Sequence, residues 1–392
     1  MRFRVFVLTL IIVYSCGTEK NKINRDAKGF ENIAGLKFSQ SERDSLLPDL
    51  TVLKNKYDSL RSLNIPNSIP NPLHFNPLSK NNLLPTGKSN YKFIENKINM
   101  PSNIEECAFF TIDKLSYLIR TNKITSEDLT KMYIERLKKF GPELKCTITI
   151  TEKLALEQAK KADQEIQNGL YRGPLHGIPY GVKDLLSVKG YKTTWGATTH
   201  KEQIINETAT VVKKLEKSGA VLIAKLSLGA LAWGDVWFDG KTKNPWNPKQ
   251  GSSGSSAGPG SATAAGLVAF SIGSETWGSI ISPSSVNGVT GLRPTFGTVS
   301  KAGAMALSWS MDKIGPMCRS VDDCALVFNT IKGPDNIDFS VVDIPFRIQK
   351  TENLKNLKIG YIKSAFSSEK TSINDKSVLS KLEDIGFQLV PI

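Results

Sequence analysis

The sequence predicts an α/β domain built on a largely parallel or mixed sheet. Three observations lead there. From about residue 112 onward, amphipathic stretches of helical period alternate with short apolar runs of strand length. Loops rich in Gly, Pro and Ser follow those runs, at the strand ends where such folds place their sites. The chain is 392 residues long and 40% apolar, enough to bury one large core or two ordinary ones.

The chain opens with MRFRVFVLTLIIVYS, in which Arg2 and Arg4 precede an apolar run over residues 5–13. A charged start followed by an apolar run too short to span a bilayer is the pattern of an export signal. Cys16 follows where cleavage would fall, and Val13-Tyr14-Ser15-Cys16-Gly17 resembles a bacterial lipobox. Residues 1–16 are therefore expected to be a lipoprotein-type signal peptide with Cys16 lipidated. An ordinary secretory peptide with a coincidental cysteine is the alternative. The mature protein would be exported and anchored through that lipid to a membrane of the bacterial cell envelope.

Residues 17–102, rich in Asn, Lys, Ser and Pro, read as a stalk or wrapping arm without chemistry of its own. One helical patch, residues 42–63, is expected to be interrupted by Pro48 near its start. Pro66, Pro70, Pro72, Pro77 and Pro85 punctuate the stretch after it.

The body is expected over residues 103–392. Residues 112–121 and 125–140 are amphipathic helices, the second capped by Thr125 or Ser126 with Glu127 and Asp128 in its first turn. A strand at 146–150 and a strong helix at 154–168 come next. A Gly/Pro-rich approach then leads into a short strand, residues 180–182, that ends in Lys183. Helix 209–218 and strand 220–225 continue the alternation. Residues 251–260, GSSGSSAGPG, read by themselves as a solvated linker. A small-residue helix, a buried strand at 267–272 and a second tight loop through Trp277-Gly278-Ser279 follow it. Near the end, strand 356–363, helix 376–385 and strand 387–392 are expected.

Composition excludes several classes. The formal net charge is +14, but the basic residues are scattered and mostly Lys. No Arg-rich helix, aromatic-studded basic strand or zinc spacing accompanies them, so nucleic acid is not expected as a partner. The five cysteines show no C-x-x-C spacing, which argues against a metal site or redox dithiol. Gly258-Pro259-Gly260 lacks the preceding strand and later acidic partner of a dinucleotide site.

Chemistry concentrates where two serine-bearing loops flank one helix–strand unit. A hydroxyl at a tight turn with free backbone N–H groups is what a nucleophile and a developing oxyanion require. Lys183, Ser255 and Ser279 all stand at such loop ends. The surrounding motifs are ITSEDL at 124–129, GIPYGVKD at 177–184, NPW at 244–246, GSSAG at 254–258, GSI at 278–280 and GLRPT at 291–295. In this order and spacing they resemble the amidase signature family, from about residue 104 to the C-terminus. The resemblance implies a mixed twisted sheet covered by helices on both faces. It implies hydrolysis or transfer of carboxamides by a Ser–cis-Ser–Lys triad, without metal or organic cofactor. Position by position, Ser279 matches the nucleophile, Ser255 the bridging serine on a cis peptide after Gly254, and Lys183 the base. The oxyanion would be held by the backbone N–H groups of Thr276, Trp277, Gly278 and Ser279.

Physical chemistry bears on each role. An alcohol is a weak nucleophile at neutral pH and needs an adjacent base. A lysine serves if burial disfavours its charged form. Asp184 could cap a helix or pair with Lys183, and a paired lysine would stay protonated and a poor base. His176 is read as a loop-packing residue.

The chain also departs from the family pattern. Trp277 stands where many members have glycine and Glu275 where aspartate is common. The indole is expected to narrow the acyl side of the pocket. Ser253 and Ala257 replace glycines beside the bridging serine. Members of the family continue well beyond residue 392, so a C-terminally incomplete domain is expected. The leading expectation is an amidase that cleaves a small-molecule or peptide amide through an acyl-enzyme. One alternative is a catalytically impaired remnant or binding protein. Another is the A-type component of an amidotransferase acting on aminoacyl-tRNA, from which export would separate it.

Overall fold

The computed structural model describes residues 19–67, 69, 87–91, 93–347, 357–367 and 373–392. The proposed signal segment with Cys16 lies outside them, as do Pro70, Pro72, Pro77 and Pro85. The described residues form two compact units, one ending at Ile69 and the other running from residue 87 to Ile392.

The first unit pairs two helices, α1 (Glu19–Ala34) and α2 (Gln40–Ser62). Ser39 and Glu42 start α2 as a capping box: the Ser39 hydroxyl accepts from Glu42 N–H at 3.3 Å, and the Glu42 carboxylate accepts from Ser39 N–H at 2.7 Å. Helix α1 has no counterpart in the sequence reading, because its Asn- and Lys-rich composition hides a sparse apolar stripe. Packing supplies what composition lacks: Ile23 and Leu47 are buried, and Arg43 pairs with Glu31 at 2.8 Å. Helix α2 runs through Pro48 rather than being interrupted there. Among the described residues no helix is long and apolar enough to cross a membrane.

The second unit begins before the expected boundary at 103. Tyr91, Phe93, Ile98 and Met100 pack on its core, and Glu95 accepts from Arg120 Nε at 3.1 Å. Helices α3 (Ile112–Arg120) and α4 (Ser126–Leu144) follow, Thr125 capping α4 by accepting from Asp128 N–H at 3.0 Å. Then come β1 (Thr147–Ile150), α5 (Glu152–Gln167), β2 (Pro179–Lys183), α6 (Thr210–Lys217) and β3 (Val221–Leu226). Four short strands, β4 (Val236–Trp237), β5 (Gly240–Lys241), β6 (Lys243–Asn244) and β7 (Asn247–Gly251), make two small ribbons. The chain continues through α7 (Ala257–Ala264), β8 (Phe270–Glu275), α8 (Ile281–Asn287), β9 (Thr290–Gly291), β10 (Lys313–Cys318) and α9 (Val321–Ile331). Last are β11 (Lys358–Tyr361), α10 (Lys363–Phe366), α11 (Ile373–Ile385) and β12 (Gln388–Pro391), with β11 and β12 paired in parallel.

Six strands form the central mixed sheet in the order β1-β3-β2-β8-β10-β9. The middle three, β3, β2 and β8, are parallel to one another, and the outer pairings are antiparallel. Parallel strands covered on both faces read as continuous apolar runs rather than alternating ones. This is why the VLIAKL run of β3 is buried at every position. Tyr180 and Phe270, opposite one another on β2 and β8, stack at 5.2 Å between ring centroids. The mixed α/β architecture expected from the sequence is present. The expected strand at 267–272 begins later, at Phe270, with residues 267–269 buried as its approach. This register matters for the site: β2 and β8 run side by side with Val182 opposite Ile272, and β2 ends at Lys183 while β8 continues to Glu275.

Candidate active site

Lys183 closes a strand in which every residue is buried. Its Nζ lies 2.8 Å from Ser255 Oγ, 3.0 Å from Ser274 Oγ and 3.2 Å from the Ser274 carbonyl. Burial strips water from the ammonium and brings its pKa down to about 7, against the opposing fields of Asp312 and Glu275. Asp184, the neighbour that could have kept it charged, is engaged elsewhere. Successive residues of a strand point to opposite faces, and Asp184 meets Lys225 Nζ at 2.7 Å, with Thr194 N–H and Oγ1 on its other oxygen at 2.8 and 2.5 Å. Lys225 completes its own shell with the Lys192 carbonyl and Thr193 Oγ1, both at 2.5 Å. Lys183 is thus a buried amine with hydroxyl and carbonyl partners.

The 251–260 segment is not a linker. Most of it is buried, and α7 begins inside it, at Ala257. The peptide bond between Gly254 and Ser255 is cis. Its surroundings fix the turn: Ser253 N–H donates to Asp235 at 3.2 Å, Asn287 Nδ2 to the Ser252 carbonyl at 2.8 Å, and Ser256 Oγ to the Ser274 carbonyl at 3.1 Å. Gly254 is required by closeness, since a Cβ there would lie 1.8 Å from the Gly234 carbonyl oxygen.

Ser279 lies on the turn between β8 and α8 and is nearly buried. Ser256 N–H donates to the Ser279 carbonyl at 3.0 Å, which ties the two serine loops together beside Lys183. Among the described residues, Ser279 Oγ makes no hydrogen bond, so the hydroxyl-to-hydroxyl step of the expected relay is open here. Catalytic hydrogen bonds are commonly long in unliganded sites and tighten on binding.

Glu275 shapes the turn. Its carboxylate accepts from Ile280 N–H at 2.8 Å and Ile281 N–H at 2.9 Å, with Arg293 at 3.4 Å on its other oxygen. Burial alone would raise this carboxyl. The N–H groups of Ile281, Ile280 and Gly278, with Arg293, outweigh burial and hold it below its ordinary value. Gly278 takes φ +89° to make the bend, a left-handed conformation that glycine adopts without steric cost. Among the described residues, the N–H groups of Thr276, Trp277, Gly278 and Ser279 donate to no backbone carbonyl. The Trp277 side chain on this turn is 83% exposed.

His176 packs away from this centre. Its Nδ1 accepts from Arg172 N–H at 3.1 Å, its Nε2 faces Glu165 at 3.0 Å, and the ring lies against Gly219. Burial lowers its pKa despite the Glu165 carboxylate. Among the described residues no group of His, Cys, Asp or Glu is arranged to hold a metal ion.

Sequence reasoning missed four residues that support the site: Ser274, Lys225, Asp312 and Asn287. Lys225 had a signal, a lysine inside an otherwise apolar strand, which demands a buried anionic partner. Asp312, Ser274 and Asn287 act through tertiary contacts that no local pattern announces.

A family profile described as Amidase matches residues 128–392. Among curated proteins, the chain is 37% identical over 291 residues to the A subunit of the glutamyl-tRNA(Gln) amidotransferase of Caldanaerobacter subterraneus subsp. tengcongensis, covering 72% of this chain and 59% of that protein. Among solved structures, the native peptide amidase from Stenotrophomonas maltophilia aligns with a TM-score of 0.67 at 30% identity, covering 74% of this chain and 63% of that one. The A subunit of the glutamyl-tRNA(Gln) amidotransferase from Thermotoga maritima aligns with a TM-score of 0.64 at 26% identity, covering 75% and 62%. The chain spans about three fifths of the length of the curated relatives it matches. With the sheet, the serine loops and the buried lysine in the same frame, the chain belongs to the amidase family.

Proposed function

We propose that the chain is an amide hydrolase acting through an acyl-enzyme on Ser279. Ser279 Oγ attacks the amide carbonyl. Its proton passes to Ser255 Oγ as Ser255 gives its own to the neutral Lys183 amine. The oxyanion accepts hydrogen bonds from the N–H groups of Thr276, Trp277 and Ser279, the Gly278 N–H being drawn to the Glu275 carboxylate. As the C–N bond breaks, Ser255 gives one proton to the leaving amine and takes one back from the Lys183 ammonium, and water, deprotonated by the same relay, releases the acid. The observation that carries this reading is Lys183, buried, held to hydroxyl and carbonyl partners, and 2.8 Å from Ser255 Oγ. The proposed substrate is a small-molecule or peptide amide. The export signal at residues 1–16 and lipidation at Cys16 belong to the same reading and put the enzyme in the cell envelope.

A second reading is favoured by the names of the curated relatives: one component of an amidotransferase, releasing ammonia for transfer to aminoacyl-tRNA. It shares the acylation step and differs in the acceptor.

Labelling with a fluorophosphonate probe tests acylation. The wild type is expected to label, Ser279→Ala and Lys183→Ala to lose the label, and His176→Ala to keep it. A folded wild type that does not label refutes the hydrolase. Release of ammonia from glutamine but not from peptide amides would favour the second reading.

A further inference from the structure

Asp312 lies one residue before β10, beside the oxyanion turn, and takes no part in the acylation steps. Strand β10 pairs antiparallel with β8, Lys313 opposite Glu275, and one step beyond the last pair Asp312 meets Thr276. The carboxylate is 8% exposed and fully used. One oxygen accepts a hydrogen bond from Thr276 Oγ1. The other accepts from Leu307 N–H at 2.7 Å and Ser308 N–H at 3.1 Å. Lys313 Nζ grips the Thr276 carbonyl at 3.0 Å. The first residue of the oxyanion turn is therefore clamped from β10 by side chain and by backbone, and the clamp extends into the 307–312 turn.

We infer that Asp312 is a positioning residue with two separable effects: its hydrogen bonds lock the oxyanion turn to the 307–312 turn, and its charge acts on Lys183. The inference rests on the proposed acylation of Ser279. Among the charged groups around Lys183, Glu275 stands on β8 with Arg293 beside it, Asp312 and Lys313 lie at the entry to β10, and Asp184, just past the end of β2, is neutralised by Lys225 of β3. The 252–264 segment, which supplies Ser255 and α7, carries no titratable acid or base. Of these groups Asp312 has the largest opposing influence on the Lys183 proton, followed by Glu275. Its negative charge favours the ammonium and so holds the Lys183 pKa above where burial alone would leave it. The clamp thus works at a cost: it orders the oxyanion donors while delaying loss of the Lys183 proton.

The two effects part company in a pH profile of fluorophosphonate labelling on the full-length protein. Asp312→Asn keeps size and an acceptor for the Leu307 and Ser308 N–H groups but removes the charge. Its labelling rate should rise to plateau at lower pH than the wild type. At pH 6, with the wild-type midpoint near 7, a displacement of one unit takes the labelled fraction of plateau from about a tenth to about a half, roughly a fivefold gain. Thr276→Val releases the clamp and keeps the charge, so its plateau should fall while its midpoint stays. Asp312→Glu should likewise keep the wild-type midpoint. Equal midpoints for Asp312→Asn and wild type overturn the inference, as does an Asp312→Glu midpoint displaced like that of Asp312→Asn. A wild type that does not label, or a Ser279→Ala variant that does, refutes the acylation reading instead.

Discussion

Lys183 sits where the chain has removed almost every reason for a lysine to keep its proton. Water is excluded, Asp184 is turned to the opposite face, and the nearest partners are two serine hydroxyls and a carbonyl. With a pKa of about 7, the neutral fraction grows as pH rises from 6 to 8. Labelling of Ser279 should therefore climb through that window and then level. Lys183→Met should lower the plateau by roughly 10²-fold or more, the usual contribution of a positioned base. Stability carries the same sign. Between about 7 and the ordinary lysine range the unfolded chain binds a proton that folded Lys183 does not, so wild-type stability rises with pH across that interval. Lys183→Met lacks that term. Urea melts at pH 6 and pH 9 should show the variant faring better against wild type at pH 6; a difference independent of pH would contradict the assignment.

At the scale of elements, the site is a product of two adjacent strand ends and a turn packed against them. Gly254 shows how tightly. Gly254→Ala would drive a Cβ into the Gly234 carbonyl, and backbone on both sides has to move. Overpacking of this kind costs about 1–3 kcal/mol. Thermal unfolding should report that loss together with reduced labelling, because Ser255 moves with its neighbour. Strands β2 and β3 add a second dependence. Lys225→Met leaves Asp184 buried without its cation, and removing one partner of a buried pair costs about 3–5 kcal/mol. Burial already pushes the Asp184 carboxyl above its usual range despite Lys225. Without Lys225 it rises further, so the folded state holds a proton that the unfolded state releases, and the penalty grows as pH increases. Denaturation at pH 5 and pH 8 should show the larger deficit at pH 8, and Lys225→Met with Asp184→Asn should remove the difference.

These elements also show what can be read from residues alone. Strands β2, β3 and β8 were legible because strands buried on both faces are written as apolar runs, and α4 because Thr125 and the acidic first turn mark its start. Lys183, Ser255 and Ser279 were legible as loop-end residues set in ordered motifs. The misreadings share one cause, contact made across the fold. Helix α1 owes its existence to packing against α2, and the engagement of Asp184 to a lysine on another strand.

At the scale of the whole molecule, chemistry and anchoring draw on different parts of the chain. Every residue assigned to the site or its support lies between Lys183 and Lys313, all in the second unit. The proposed anchor rests on Cys16. Lipid chains favour the membrane by about 0.8 kcal/mol per buried CH₂, so the loss of a whole anchor changes partition far more than any surface substitution does. Cys16→Ser should therefore lose incorporation of a palmitate analogue and move from the detergent phase to the aqueous phase in a cloud-point separation. Its fluorophosphonate labelling should stay within about twofold of wild type, the tolerance expected of independent sites. If Cys16→Ser keeps the lipid label, the anchor assignment is wrong. If it loses Ser279 labelling while remaining folded, the N-terminal segment contributes to the site itself, and anchor and chemistry are not separate.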